Sequence, residues 1–139
     1  MEQGPPGPAG AIKVYDANNQ YLGIFLGWYL GDAVEIYSSS DNIVIGISQA
    51  TGEIRDELLY FLNDNCLGIP YIDPVNSNKI VRNSGAYYVG EKIAPSDIQV
   101  TSRLQEDLCS SFALNRTVVP ASEVVPSFTL PVALPLRLQ

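Results

Sequence analysis

Ala33-Val34-Glu35-Ile36-Tyr37-Ser38-Ser39-Ser40-Asp41-Asn42-Ile43-Val44-Ile45-Gly46-Ile47 decides the fold class of this chain. Two runs rich in Val, Ile and Tyr flank five consecutive Ser, Asp and Asn residues. β-Branched and aromatic side chains suit a pleated, half-buried surface, whereas short polar side chains hydrogen-bond their own backbone and favour turns. The stretch predicts a hairpin with strands at 33–37 and 43–47. Immediately upstream the design repeats: apolar runs at 11–15 and 21–28 flank Asp16-Ala17-Asn18-Asn19-Gln20, a connection of Asx-turn type.

Downstream, turn residues keep recurring at short intervals. Further strands are expected at 58–62, 70–72, 79–82, 86–89, 98–104, 112–114 and 117–119, with an edge segment at 124–130. Alternation in Ile98-Gln99-Val100-Thr101-Ser102 puts Ile98 and Val100 on one face. Glu53-Ile54-Arg55-Asp56-Glu57-Leu58-Leu59-Tyr60-Phe61-Leu62 competes as a short helix capped by Thr51, but its apolar residues are contiguous rather than helically spaced, which favours a strand ending at Asn63-Asp64-Asn65. The expected fold is all-β, an antiparallel sandwich or jelly-roll-like head.

Ahead of this body stands Gly4-Pro5-Pro6-Gly7-Pro8-Ala9-Gly10, with glycine at every third position. Three polyproline-type chains wind together only where the residue on their shared axis lacks a side chain, so Gly4, Gly7 and Gly10 read as triple-helix glycines and the chain as one third of a homotrimer. Little more than two triplets cannot hold three chains alone. The run is either the end of a longer stalk or a flexible leader. Residues 1–11 are therefore expected to be a stub and 12–139 a single globular head. No basic, apolar leader precedes the run, so any export signal is expected outside these residues.

The chain has 139 residues, 46% of them hydrophobic and 17% charged, with a net charge of −7 and no histidine. That length buries about two thirds of the unfolded surface, and so apolar a body is not disordered. The eight basic residues are scattered. Nucleic acid is not an expected partner, because phosphate binding needs clustered Lys and Arg. No apolar stretch approaches the roughly 20 residues that span a bilayer; the most apolar segment, 128–138, is broken by Pro131 and Pro135.

Val14-Tyr15-Asp16-Ala17-Asn18-Asn19-Gln20-Tyr21-Leu22-Gly23, directly after the collagen-like run, resembles the opening of the C-terminal globular domains of bacterial collagen-like repeat surface and secreted proteins. The stretch 59–71, with its aromatic strand before Cys66-Leu67-Gly68-Ile69-Pro70-Tyr71, is similar to a second block of those domains, and Val118-Val119-Pro120-Ala121 and Pro126-Ser127-Phe128-Thr129-Leu130-Pro131 to their proline-rich ends. The resemblance implies an extracellular, stalk-borne β head without known chemistry. It supplies no functional residues.

If three stubs wind together, residues 11–15 of three copies start near one axis and the heads touch through symmetry-related surfaces. Ile12, Val14, Ile24, Phe25 and Trp28 are oligomer-interface candidates, as are Leu134 and Leu136 in the tail, which can lie extended over a groove of its own or a neighbouring head. Each competes with a plain core role. Tyr21, Tyr71, Tyr87 and Tyr88 are candidates for a recognition patch on a surface glycan or protein receptor, against the alternative that tyrosine is a common strand residue.

Cys66 and Cys109 are the only cysteines. An exported protein meets an oxidising compartment, where a disulfide between them is expected; a free buried pair is the alternative. No zinc site is expected from two cysteines without histidine. Catalysis fails on inventory: no histidine means no Ser-His-Asp or Cys-His arrangement, no glycine-rich loop precedes a lysine, and the adjacent acids Asp56-Glu57 and Glu106-Asp107 point to opposite faces if they lie on strands. Residues 16–20 partly match a calcium loop, but Tyr21 stands where glycine is needed and Gly27 where glutamate is, so neither this loop nor Asn63-Asp64-Asn65 is expected to hold a metal. Asn115-Arg116-Thr117 fits the glycosylation pattern of a eukaryotic secretory route.

The expected function is a non-enzymatic, extracellular structural and interaction domain that trimerises a stalk and mediates surface attachment, with no cofactor. Two alternatives use related physics: a phage or viral fibre head that binds a receptor, and a strand-exchanging filament subunit.

Overall fold

A computed structural model describes residues 11–29 and 31–139; Gly4, Gly7 and Gly10 lie outside the described residues. Among the described residues eleven strands follow in chain order: β1 (Lys13–Tyr15), β2 (Tyr21–Tyr29), β3 (Ala33–Ser38), β4 (Ile43–Ser48), β5 (Leu59–Phe61), β6 (Tyr71–Ile72), β7 (Ile80–Asn83), β8 (Ala86–Gly90), β9 (Ser96–Gln105), β10 (Leu108–Val124) and β11 (Arg137–Leu138). One 3₁₀ turn spans Pro74–Asn76, started by Asp73, whose side chain accepts the Val75 N–H. The described residues contain no α-helix. The chain is all-β and its sheets are antiparallel.

The described residues form two compact units, one running to Glu53 and completed by Ser127–Gln139, the other Ile54–Pro126. The first is a five-stranded sheet in the order β11-β1-β2-β3-β4. Both expected hairpins are present, joined by the Asx-rich turns. In β3 and β4 the register sets Val34 against Ile47, Ile36 against Ile45 and Ser38 against Ile43, and all six are buried. Because side chains alternate along a strand, these pairs line one face with Val14 of β1. Gly23 of β2 occupies a point of close approach: with φ +144°, a Cβ there would lie 2.1 Å from the Tyr37 carbonyl oxygen.

The second unit is a six-stranded sheet, β6-β5-β9-β10-β8-β7, in which β10 also pairs with β6. The pairings β6–β5–β9–β10–β6 thus close on themselves. Two buried clusters fill the unit, one of Leu59, Phe61, Ile72, Val81, Val119 and Ala121, the other of Tyr60, Val100 and Val118. Tyr60 and Phe61, adjacent in β5, go to different clusters because successive side chains leave opposite faces.

Two sequence expectations are corrected. The segments 112–114 and 117–119 are one strand, β10: a bulge at Phe112–Ala113 redirects the chain without ending it, and Pro120, which has no N–H to give, stays within the strand with its carbonyl accepting the Glu91 N–H. The edge segment at 124–130 does not form beyond Val124; instead the tail adds a short edge strand, β11, beside β1. No helix among the described residues is long and apolar enough to cross a membrane.

Candidate functional site

The strand pair that receives the Gly-X-Y run carries the most exposed large aromatic of the first unit. Lys13 lies opposite Ile24, and the Phe25 N–H donates to the Ile12 carbonyl at 2.7 Å, so Ile12 stands opposite Phe25. A bulge at Leu26 in β2 then shifts the register: Phe25 opposes Ile36 and Trp28 opposes Val34. Without the extra residue Trp28 would point to the other face; with it Ile12, Phe25 and Trp28 share one face. The Phe25 and Trp28 rings meet edge to face at 5.6 Å. Trp28 is 63% exposed, Leu26 51% and Ile12 40%.

The other interface candidates divide. Val14 is fully buried within its own chain and belongs to the core; it leaves the same face of the sheet as Ile12 and the buried Ile36. Ile24 lies on the opposite face, in line with Lys13 and Tyr37. Leu134 and Leu136 are half-buried in the tail. Of the four recognition tyrosines, Tyr21 is exposed on the first sheet. Tyr71, Tyr87 and Tyr88 are half-buried in the second unit, Tyr87 and Tyr88 on opposite faces of β8. Burial and, after it, the charge of Glu123 directly across the sheet hold the Tyr88 phenol above its ordinary value.

The Asp16 loop is organised around its carboxylate. Oδ1 accepts the backbone N–H groups of Asn18 and Gln20 at 2.9 and 2.8 Å; Oδ2 accepts Gln20 Nε2 at 2.9 Å and the Ala133 N–H at 3.3 Å. Asp16 is 2% exposed. Burial pushes its carboxyl up, yet the donors from Gln20, Ala133 and Asn18 outweigh it, and the group sits below its ordinary 3.8. Four N–H donors aimed at one carboxylate make an anchor between hairpin and tail, the reverse of the oxygen cage that calcium takes. Asn63, in the other candidate loop, uses its amide on the backbone of Leu67 and Asn65.

Cys66 and Cys109 form a disulfide with Cα atoms 6.0 Å apart. Beside it, Ser102 of β9, fully buried, donates to the Asn63 carbonyl at 2.6 Å and accepts the Cys66 N–H at 3.0 Å. The register of β5 on β9 brings Asp56, Glu57 and Glu106 to the rim of a cavity of about 170 Å³. Asp56 there pairs with Arg82 at 3.0 Å and Glu57 accepts Asn76 Nδ2 at 3.2 Å. Glu106 and Asp107 form the β9–β10 turn at positive φ, not a strand. Among the described residues no group of three or more acids or cysteines is arranged to hold a metal ion. Sequence reasoning missed Asn83, a buried amide that ties the Glu57 and Leu104 carbonyls at 2.8 and 3.0 Å; nothing local marks it.

No protein-family model, curated protein or solved structure matches the chain.

Proposed function

We propose that the chain is a non-enzymatic, extracellular β head that forms a homotrimer at the end of a collagen-like stalk and serves surface attachment, in the manner of the globular domains of bacterial collagen-like surface proteins. The observation that carries this is the open apolar cluster of Ile12, Phe25 and Trp28 on the strand pair entered directly from the Gly-X-Y run. Three wound stubs bring three copies of residue 11 close to one axis, and what stands next to residue 11 is then what neighbouring copies meet. An exposed tryptophan with an exposed leucine and isoleucine beside it is a cost in water that association removes. Alignment of three stubs by their heads in turn lowers the entropy cost of starting the triple helix.

The disulfide is consistent with a compartment outside the cytoplasm. The test is the mass of the polypeptide with its stalk, measured by light scattering. Three chains per particle are expected; a single chain at high concentration overturns the assignment, and an indefinite polymer supports a strand-exchanging filament instead.

A further inference from the structure

One edge of the first sheet, on one face, is basic in an acidic protein. On β11, β1 and β2 the side chains opposite the buried Val14 are Arg137, Lys13, Tyr15, Tyr21 and Ile24: register places Tyr15 between Arg137 and Tyr21, and Lys13 beside Ile24, with Tyr37 next on β3. The chain carries net charge −7, yet these three strands present two cations and no carboxylate on this face. Glu35, which shares the face, sits on β3 opposite Gly27, beyond Tyr37 and away from the Tyr15 row.

The rings are held in place. The Tyr15 and Tyr21 centroids are 5.3 Å apart, the Arg137 guanidinium carbon lies 5.7 Å from the Tyr15 centroid, and Arg137 Nη2 donates to Asn19 Oδ1. Tyr37 donates its hydroxyl to Asn42 at 2.6 Å. Tyr21 is 43% exposed. One amide contact leaves most of the five guanidinium donors of Arg137 open. In this up-and-down order the Asp16–Gln20 turn and the β3–β4 turn lie together at one end of the sheet, and residue 11 enters at the other. The tyrosine end therefore faces away from the stalk.

We propose that this face binds a carboxylate-bearing saccharide, its ring lying on Tyr21 beside the Arg137-covered Tyr15 and its carboxylate taken by Arg137 and Lys13. A pyranose presents an apolar C–H plate with a polar rim; a fixed tyrosine pair edged by a guanidinium, an ammonium and an amide is its complement, and ordering it costs little on binding. Two cations are too few for a polyphosphate backbone, which needs a run of them. The negative charge of the rest of the chain repels an anion elsewhere and leaves this patch as its landing place. The inference rests on the attachment reading above and names the ligand class for it.

The test is a titration of the ¹⁵N-labelled chain with three probes: tetragalacturonate and sialyllactose, which carry carboxylates from a uronate and a sialate, and neutral cellotetraose. At least one carboxylated probe is expected to shift the amides around Tyr15, Tyr21 and Arg137, and to bind about tenfold more tightly than cellotetraose, the scale of one charge-assisted hydrogen bond. Which of the two does so identifies the source of the carboxylate. Tyr21→Ala and Arg137→Gln each weaken binding by about tenfold, while Tyr21→Phe, which keeps the ring, binds like the parent and Arg137→Lys recovers part of the loss. Failure of both carboxylated probes, equal binding of cellotetraose, or an unaffected Tyr21→Ala overturns the proposal. Light scattering on the same samples separates the two claims: trimers that bind no saccharide sink this inference alone, and single chains that bind it sink the assembly.

Discussion

Asp16 and Ala133 lie 117 residues apart in sequence, yet the Ala133 N–H donates to Asp16 Oδ2 at 3.3 Å, and the Ala133 carbonyl accepts the N–H of Ala17, the next residue along, at 2.9 Å. A short hairpin turn at one end of the chain is thereby the point to which the proline-rich tail is fastened. The turn was built for local reasons, an Asx residue bonding its own backbone, and its second carboxylate oxygen then reaches the distant segment. Asp16→Ala removes the acceptor from four N–H donors in a nearly closed site and is expected to cost about 2–4 kcal/mol, several donors losing their partner at once. Asp16→Asn keeps one acceptor oxygen and costs less. Urea melts followed by circular dichroism measure both.

The same carboxylate makes stability depend on pH. Its folded pKa lies below the ordinary 3.8 that it regains on unfolding. The stabilisation it gives is therefore present above that unfolded value and is lost as pH falls through the lower, folded value. A series of melts from pH 6 down to about pH 2 is expected to show a loss in the parent that Asp16→Asn lacks, since an amide has nothing to titrate. Parallel curves for the two proteins would place the acid sensitivity elsewhere.

Gly23 and Gly27 make a matched pair on one strand. Both hold a φ that L side chains rarely adopt, +144° and +151°, but a Cβ on Gly23 would meet the Tyr37 carbonyl oxygen at 2.1 Å and Ile36 Cγ2 at 2.8 Å, whereas one on Gly27 meets nothing within 4 Å. Gly27→Ala pays backbone strain alone, about 1–3 kcal/mol. Gly23→Ala must in addition push β2 away from β3, and the loss is expected to exceed that of Gly27→Ala and to reduce soluble yield. Thermal melts of the two variants, side by side, test the contrast.

The Cys66–Cys109 bond closes a loop with a sequence separation of 43. Restriction of the unfolded chain by a loop of that length corresponds to on the order of 4 kcal/mol in the chain-entropy description. Reduction, or replacement of both cysteines by alanine, is expected to lower the melting temperature of the second unit, where Cys66 packs against the Leu59–Phe61 cluster. Calorimetry with and without reductant reads the effect. Ser102→Ala in the oxidised protein adds a separate loss, because the Asn63 carbonyl and Cys66 N–H would each lose their buried partner.

Local chemistry was legible in the sequence and long-range register was not. The turns at 16–20 and 38–42, the strands beside them and the cysteine pairing follow from residue types that act within a few positions or from an inventory of two thiols. Asn115 and Pro120 look like breakers in the same terms, yet β10 runs through both because β9, β6 and β8 pair with it in succession along its length. Asp56, Glu57 and Glu106 could not be seen to share a rim until Leu59 was placed opposite Leu104. Ile12 and Val14 are equivalent by composition and leave the same face of the sheet, and only the fold shows one exposed and the other core. The bulge at Leu26, which puts Trp28 on the same face as Ile12, has no sequence mark beyond the neighbouring Gly27.

Trp28 separates assembly from folding for this reason. With most of its surface in solvent in the single chain, Trp28→Ser removes little buried area, and the stability of the monomer is expected to change by less than about 0.5 kcal/mol, as for other exposed positions. If three copies bury that ring, the same change removes the largest apolar group from each contact, and truncation of a central interface tryptophan costs about 2 kcal/mol or more per site. The expected outcome is a melting curve close to the parent when both are measured as single chains, with a shift from three chains to one by light scattering at the same concentration. Val14→Ser supplies the opposite control: it is expected to destabilise the fold by putting an unpaired hydroxyl where no surface is exposed. A Trp28→Ser protein that remains trimeric would move the contact off this face of β2 and leave the exposed ring without a role in assembly.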